Sequence, residues 1–235
     1  MINNYGCTAY RAILPYQESY RELLGHTTVW LGDDHHVVAY PNGNPKYSQQ
    51  WMNLVLVRRS AQQENESWVE PVAVEDMVKL FHTPSPVLNR IFEDLVQSPE
   101  PVFKWGLYLH KPLPYWSVDK ISLLGDAAHS MLPFMAQGAG MAIEDAHVLA
   151  ACLSRGLPIE RALALYQKLR LERTTAVQRG SAEHSDIYHA SGGTAAVRNS
   201  LLSAVNNVSP HLMNQRMDWI YSYDATKSVP RQDCS

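Results

Sequence analysis

Two groups of residues in this 235-residue sequence have types and spacings suited to chemistry. The first lies in "GDAAHSMLPFMAQGAGMAIEDA", residues 125–146. Gly125 and Asp126 follow an apolar run, and Gly138 and Gly140 open an apolar helical pattern. Backbone N–H groups in the first turn of a helix lack intrahelical partners, and the helix dipole is positive there. Glycine has no Cβ, so its backbone can approach a ligand closely. Asp126 can accept hydrogen bonds from sugar hydroxyls, or it can simply cap a turn; local physics leaves both open. The second group is His36 and Tyr40. Four residues apart on a strand, they point to one face. A histidine titrating near neutral pH suits proton removal, and a tyrosine can orient a ring or its oxygen. The alternative is two sheet-face residues with satisfied hydrogen bonds. Arg11, in "YRAIL", can pair bidentately with a carboxylate or phenolate, or it can sit on a strand surface.

Strands and helices must hold these groups in place. "TAYRAILP" is rich in β-formers, and "TTVWLGDDHHVVAYP" places two apolar runs around Gly32-Asp33-Asp34, a hairpin signal. "QWMNLVLVRR" reads as a third strand. "PNGNPKYSQQ" and "SAQQENES" read as loops. "VAVEDMVKLFHT" and "SPVLNRIFEDLVQ" carry apolar residues at three- and four-residue spacing and predict amphipathic helices. Ser85 precedes Pro86 as an N-cap before a first-turn proline. "PVFKWGLYLHKP" returns to strand, and "YWSVDK" leads into "ISLLG", a short buried strand. The helix opened at Gly138 closes on Gly156, and Pro158 opens one long helix or two joined ones. The expectation is an α+β or α/β chain. Residues 1–118 form a mixed sheet with helices laid on it, residues 119–226 form a strand, a turn and helices, and residues 227–235 form a disordered tail. Two lobes with a cleft between them follow.

Bulk properties narrow the function class. The chain is 46% hydrophobic and 18% charged, as expected of a globular protein. A formal net charge of −3 supplies no basic footprint for nucleic acid. No apolar run reaches the ~18 residues of a membrane helix. "MINNYGCTAYRAILP" lacks a signal-peptide pattern. Cys7, Cys152 and Cys234 are too scattered for a disulfide framework, so a reducing cytoplasmic location is expected. Adjacent His35 and His36 point to opposite strand faces, with His35 facing solvent, and His184 and His189 are poorly spaced for one helix face, so no metal is expected. Glu144 and Asp145 diverge by ~100° on a helix and read as dipole-favoured N-terminal acids. Arg170 and Arg173 read as a solvated face or an inter-lobe ion pair, and His129 as a structural hydrogen-bonding group within its turn.

The string Gly125-Asp126, His129, Pro133, Gln137-Gly138-Ala139-Gly140 and Ile143-Glu144-Asp145-Ala146 resembles the GD motif of class A flavoprotein monooxygenases, in particular the salicylate-hydroxylase-like aromatic hydroxylases. "TVWLGDDHHVVAYP", "WGLYLHKPLPYW", "YQKLRLERTTAVQRGS" and "RMDWIYSYDA" are similar to further segments of that family, so the resemblance covers roughly residues 5–226. It implies a substrate domain over 1–118 and the C-terminal portion of an FAD domain over 119–226. It implies that FAD is the cofactor. Gly125 and Asp126 would hold the ribityl chain, and the backbone of Gly138, Ala139 and Gly140 would meet the flavin ring edge, where preorganised donors stabilise negative charge. Pro133 and Gln137 would border the substrate, Arg11 would anchor its oxyanion, and His36 and Tyr40 would line its pocket as the catalytic pair. The implied partners are a small aromatic substrate, O2 and NAD(P)H, with homodimerisation allowed and neither nucleic acid nor membrane involved.

Two family signatures are missing. No G-x-G-x-x-G follows a strand, and no Asp-Gly dipeptide occurs. The chain therefore resembles the C-terminal part of a hydroxylase, expected to bind FAD weakly and to expose apolar surface on its own. The competing expectation is a non-catalytic remnant or interaction module that folds only with a partner supplying the missing strands.

Overall fold

The computed structural model describes residues 2–43, 50–60, 70–81, 84–208 and 217–229. Most of the two loops expected at "PNGNPKYSQQ" and "SAQQENES", and residues 230–235 of the expected tail, lie outside these. The chain divides into two compact units. One comprises Asn4–Leu107 and Ile187–Asn199; the other comprises Tyr108–Asp186 and Ser200–Ser235, with Met1–Asn3. Among the described residues no helix is long and apolar enough to cross a membrane.

The sheet contains β1 (Ile2–Pro15), β2 (Thr28–Leu31), β3 (His35–Asn42), β4 (Trp51–Arg59), β5 (Glu70–Pro71) and β6 (Phe103–His110), in the order β2-β3-β4-β1-β6-β5. The β2–β3 hairpin forms as expected, with Leu31 opposite His36. Asp34 takes the positive φ of 56° that its tight turn requires. β4 runs antiparallel to both β3 and β1. Side chains alternate between faces, and one face is the core. Tyr10, Ala12 and Leu14 of β1, Val37 and Ala39 of β3, and Met52, Leu54 and Leu56 of β4 are all buried there. The helices α1 (Val74–Val78) and α2 (Pro86–Gln97) add Met77, Leu88, Ile91 and Leu95 to the same cluster. Each such aliphatic side chain contributes roughly 1.5–3 kcal/mol when fully buried.

The helix expected over "VAVEDMVKLFHT" is only five residues long. It ends because the chain turns back to bury Phe81, 2% exposed, edge-on against Tyr10 at 5.7 Å. His82 and Thr83 lie outside the described residues. α2 starts as expected: Pro86 occupies the first turn and the Ser85 hydroxyl accepts a hydrogen bond from the Leu88 N–H at 3.4 Å. Ser85→Ala should lower stability by about 0.5–1 kcal/mol, seen as a lower urea midpoint at unchanged slope. An unmoved midpoint would show that this bond contributes nothing.

The second unit holds a two-stranded hairpin, β7 (Ser117–Val118) and β8 (Ile121–Ser122), then α3 (Asp126–His129), α4 (Gly138–Leu153), the 30-residue α5 (Ile159–Tyr188) and α6 (Gly192–Val208); the last two residues of α5 and the first half of α6 belong to the sheet unit. "ISLLG" is therefore not a buried strand. Val118 is 58% and Ile121 74% exposed, because among the described residues β8 pairs with β7 alone and no further strand covers it. Trp116, Ala128, Val148, Cys152 and Tyr166 form the core of this unit.

Candidate functional site

The loop from Gly125 to Gly140 is held by charge pairing beneath it. Gly125 adopts φ 59° and ψ −138°, a conformation that essentially only glycine tolerates. A Cβ there would lie 3.2 Å from the Ala142 Cβ. Its N–H donates to Asp145 Oδ2 at 3.1 Å. Asp145 is fully buried. Its Oδ2 also meets His129 Nε2 at 2.5 Å, and its Oδ1 accepts from Arg170 Nε at 2.7 Å. Burial pushes the Asp145 carboxyl pKa up, but the hydrogen bonds from His129 and Arg170 outweigh it and hold the group below its ordinary value. Arg170, also fully buried, pairs with Glu144 Oε2 at 2.7 Å. Burial disfavours its charge, yet Asp145 and Glu144 more than compensate and raise its pKa. Arg173 forks onto both Glu144 oxygens at 2.8 Å and stacks 3.7 Å from the Tyr223 ring centre, tying down the segment after residue 217.

These contacts correct three expectations. Glu144 and Asp145 are not placed by the helix dipole, Arg170 and Arg173 are neither a solvated face nor an inter-lobe pair, and His129 bonds to α4 rather than within its own turn. The signal was available in the stripe Met141, Asp145, Val148 and Cys152, spaced four, three and four along α4 and all buried. A charged residue on such a stripe requires a buried partner. Gly125→Ala should cost about 2 kcal/mol or more through backbone strain. The check is urea unfolding, and an unchanged midpoint would refute the tight-turn account.

Above this support lie the residues expected to meet a ligand. Asp126 is exposed at the start of α3, and a Cβ on Gly138 would stand 3.8 Å from its Oδ1. The carboxylate thus sits beside the N-terminus of α4, where the first intrahelical bond is Met141 N–H to Gln137 O. The N–H groups of Gly138, Ala139 and Gly140 precede that bond and belong to the first turn, which leaves them for a ligand. Pro133 is exposed at the head of the 3₁₀ turn Pro133–Met135, and Ala136 follows it at φ 52°. Gln137 Nε2 donates to Met135 O at 3.2 Å. α5 grips the loop from below: Ser181 Oγ donates to Leu132 O at 2.6 Å and Gln178 Nε2 to Ser130 O at 2.7 Å. Gly125, Asp126, Pro133, Gln137, Gly138, Ala139 and Gly140 therefore share one braced segment. Backbone donors next to an exposed carboxylate fit a flavin, whose ring edge accepts hydrogen bonds and whose ribityl chain donates them.

The remaining three expected site residues lie in the sheet unit, on the face opposite the core. Cross-strand rows set their positions: His36–Val57–Ala9, Val38–Val55–Arg11 and Tyr40–Asn53–Ile13. His36 is 2% exposed. Its Nδ1 lies 3.0 Å from His189 Nε2, with the Tyr188 ring at 4.8 Å. Burial, and then the neighbouring His189, push its pKa down to about 3, so the imidazole is neutral at pH 7. Tyr40 is half-buried and Arg11 exposed. Arg11 Nε donates to Asn53 Oδ1 at 3.4 Å. His35 is a correction: it is half-buried on the core face with its ring 5.4 Å from Phe81. The pairing of His189 with His36 and the role of Asn53 escaped the sequence reading. His189 lies 153 positions from its partner, and Asn53 looks like an ordinary strand residue. A depression of about 610 Å³ lined by Val78, Lys79, Phe81, Phe92 and Glu93 is on the helix-covered side of the sheet, away from His36.

Residues 26–181 match the family model described as FAD binding domain. The chain is 38% identical over 224 residues to 3-hydroxybenzoate 6-hydroxylase 1 of Aquipseudomonas alcaligenes, covering 94% of this chain and 54% of that protein. It is 35% identical over 184 residues to 6-hydroxynicotinate 3-monooxygenase of Pseudomonas fluorescens, covering 77% of this chain and 46% of that protein. A salicylate hydroxylase substrate complex superposes with a TM-score of 0.77 at 24% identity, covering 98% of this chain and 58% of that one, which shows the shared fold. The chain spans about half the length of the curated relatives it matches. The chain belongs to the FAD-binding domain family.

Proposed function

We propose that the intact protein hydroxylates a phenolic or carboxylated aromatic ring, using O2 and NAD(P)H with FAD as cofactor. The observation that carries this is the Gly125–Gly140 segment, a braced helix N-terminus beside the exposed Asp126 carboxylate. FAD, when bound, supplies acceptance of electrons from NAD(P)H and activation of oxygen. Asp126 would accept hydrogen bonds from ribityl hydroxyls. The N–H groups of Gly138, Ala139 and Gly140 would donate to the ring edge and favour negative charge there. Pro133 and Gln137 would border the substrate, and Tyr40 would orient its oxygen.

His36 would take the phenol proton. In this role His36 would carry its proton on Nδ1, toward His189 Nε2 at 3.0 Å, and use Nε2 as the acceptor. Its depressed basicity rises as negative charge develops on the phenol oxygen beside it, which couples proton transfer to substrate ionisation. Cytoplasmic location and homodimerisation belong to the same proposal, and the buried thiols of Cys7 and Cys152 suit a reducing compartment.

The test is to incubate the FAD-loaded protein with NADH or NADPH, hydroxybenzoates and ¹⁸O₂, and to weigh the products. A ring product carrying one ¹⁸O atom supports the proposal. Nicotinamide oxidation that yields only hydrogen peroxide with every ring sinks it. A second reading, a module completed by a partner's strands, is favoured by the exposed Val118, Ile121 and Ile143. Gel filtration decides against it if the protein elutes alone as a folded species with stoichiometric flavin.

A further inference from the structure

We propose that Asn53 and Arg11 form a two-donor clamp for a substrate carboxylate, and that Asn53 makes the protein selective for ring acids over their neutral analogues. This rests on the His36–Tyr40 face being the substrate face. Alternation along β4 puts Met52, Leu54 and Leu56 in the core and turns Asn53 to the other side, directly opposite Tyr40. Arg11 is opposite Val55, one diagonal step from Asn53. Asn53 is 1% exposed, and its Nδ2 is a buried donor with no hydrogen-bond partner among the described residues. Leaving such a group unsatisfied costs about 1–3 kcal/mol, and folded proteins keep few of them.

The amide orientation follows from Arg11. Its Nε–H donates to Oδ1 at 3.4 Å. The flipped amide would set donor against donor. Of the neighbours on this face, Val38, Val55 and Ile13 offer no side-chain acceptor, and the Tyr40 hydroxyl directly opposite is not bonded to Nδ2, which stands as the donor for a ligand. An apolar surface with two donors at one end suits a flat ring bearing an oxyanion. A carboxylate has two oxygens to share between Nδ2 and the guanidinium, whereas a phenolate has one. A neutral amide at position 53 also orients Arg11 without cancelling its charge, as an aspartate there would.

Equilibrium dialysis of the FAD-loaded protein with 3-hydroxybenzoate and with 3-hydroxybenzamide tests the clamp. The wild type should prefer the acid by about tenfold or more, the scale of hydrogen bonds to a charged group. Asn53→Asp should abolish that preference, and Asn53→Leu should cut it about tenfold, with benzamide affinity held within about threefold. Circular dichroism verifies folding, and Arg11→Gln, at an exposed position, repeats the test if the Asn53 variants do not fold. Equal wild-type affinity for the two probes, or an unchanged ratio in Asn53→Asp, overturns the clamp while leaving the substrate face standing. If the wild type binds neither probe, the substrate-face reading falls, and the clamp with it.

Discussion

Asp145→Ala is expected to lower the unfolding free energy by about 3–5 kcal/mol, the cost of removing one partner from a buried ion pair. The substitution leaves Arg170, wholly buried, with Glu144 as its remaining charge partner, and it orphans the Gly125 N–H and His129 Nε2 at once. Asp145→Asn keeps the volume but not the charge and should fall in between. The sign with pH follows from the lowered carboxyl pKa. A carboxylate whose pKa is depressed by folding contributes its full stability above the unfolded value near 3.8 and loses it as pH falls through the folded value. Wild-type stability should therefore drop at acid pH more steeply than that of Asp145→Asn. The double variant Asp145→Leu with Arg170→Met should recover part of the loss, because no uncompensated charge remains. Urea unfolding at several pH values reads all of this. A loss under about 0.5 kcal/mol in Asp145→Ala, the range of ordinary surface substitutions, would dismiss the network as the support of the loop.

His36→Gln should reduce formation of hydroxylated product by about 10²–10³-fold with FAD retained. Glutamine can still bond to His189 but cannot take a proton. Coupled turnover at the wild-type rate would remove His36 from the chemistry. The same variant reports on stability. An unfolded histidine titrates near 6.5, whereas His36 is held down to about 3. Its neutral burial thus contributes fully above about pH 6.5, and the contribution is lost as pH falls toward 3. His36→Gln should flatten that part of the acid limb while leaving the fall due to Asp145. Tyr40→Phe keeps the ring and should lose less.

The legible features were those with a short range in the chain. The hairpin about Gly32-Asp33-Asp34 is encoded by alternation and turn residues a few positions apart, and it forms with the expected partners. Ser85 caps α2 for the same reason: donor and acceptor are three residues apart. The Gly125–Gly140 loop could be picked out because its glycines, Asp126 and Pro133 occupy one unbroken string. "ISLLG" misled because a run of apolar residues says nothing about whether neighbouring strands will cover it.

The amino-acid sequence by itself determined the alternation along the strands, the start of α2, the family and the position of the glycine-rich loop. Each depends on residues within a turn or an alternation of one another. Tertiary structure alone decided which polar groups meet. Asp145 and Arg170 are 25 positions apart, Arg11 and Asn53 42, and His36 and His189 153. No local periodicity pairs residues at such separations. They are matched only when packing removes water and leaves each buried charge or donor in need of a partner.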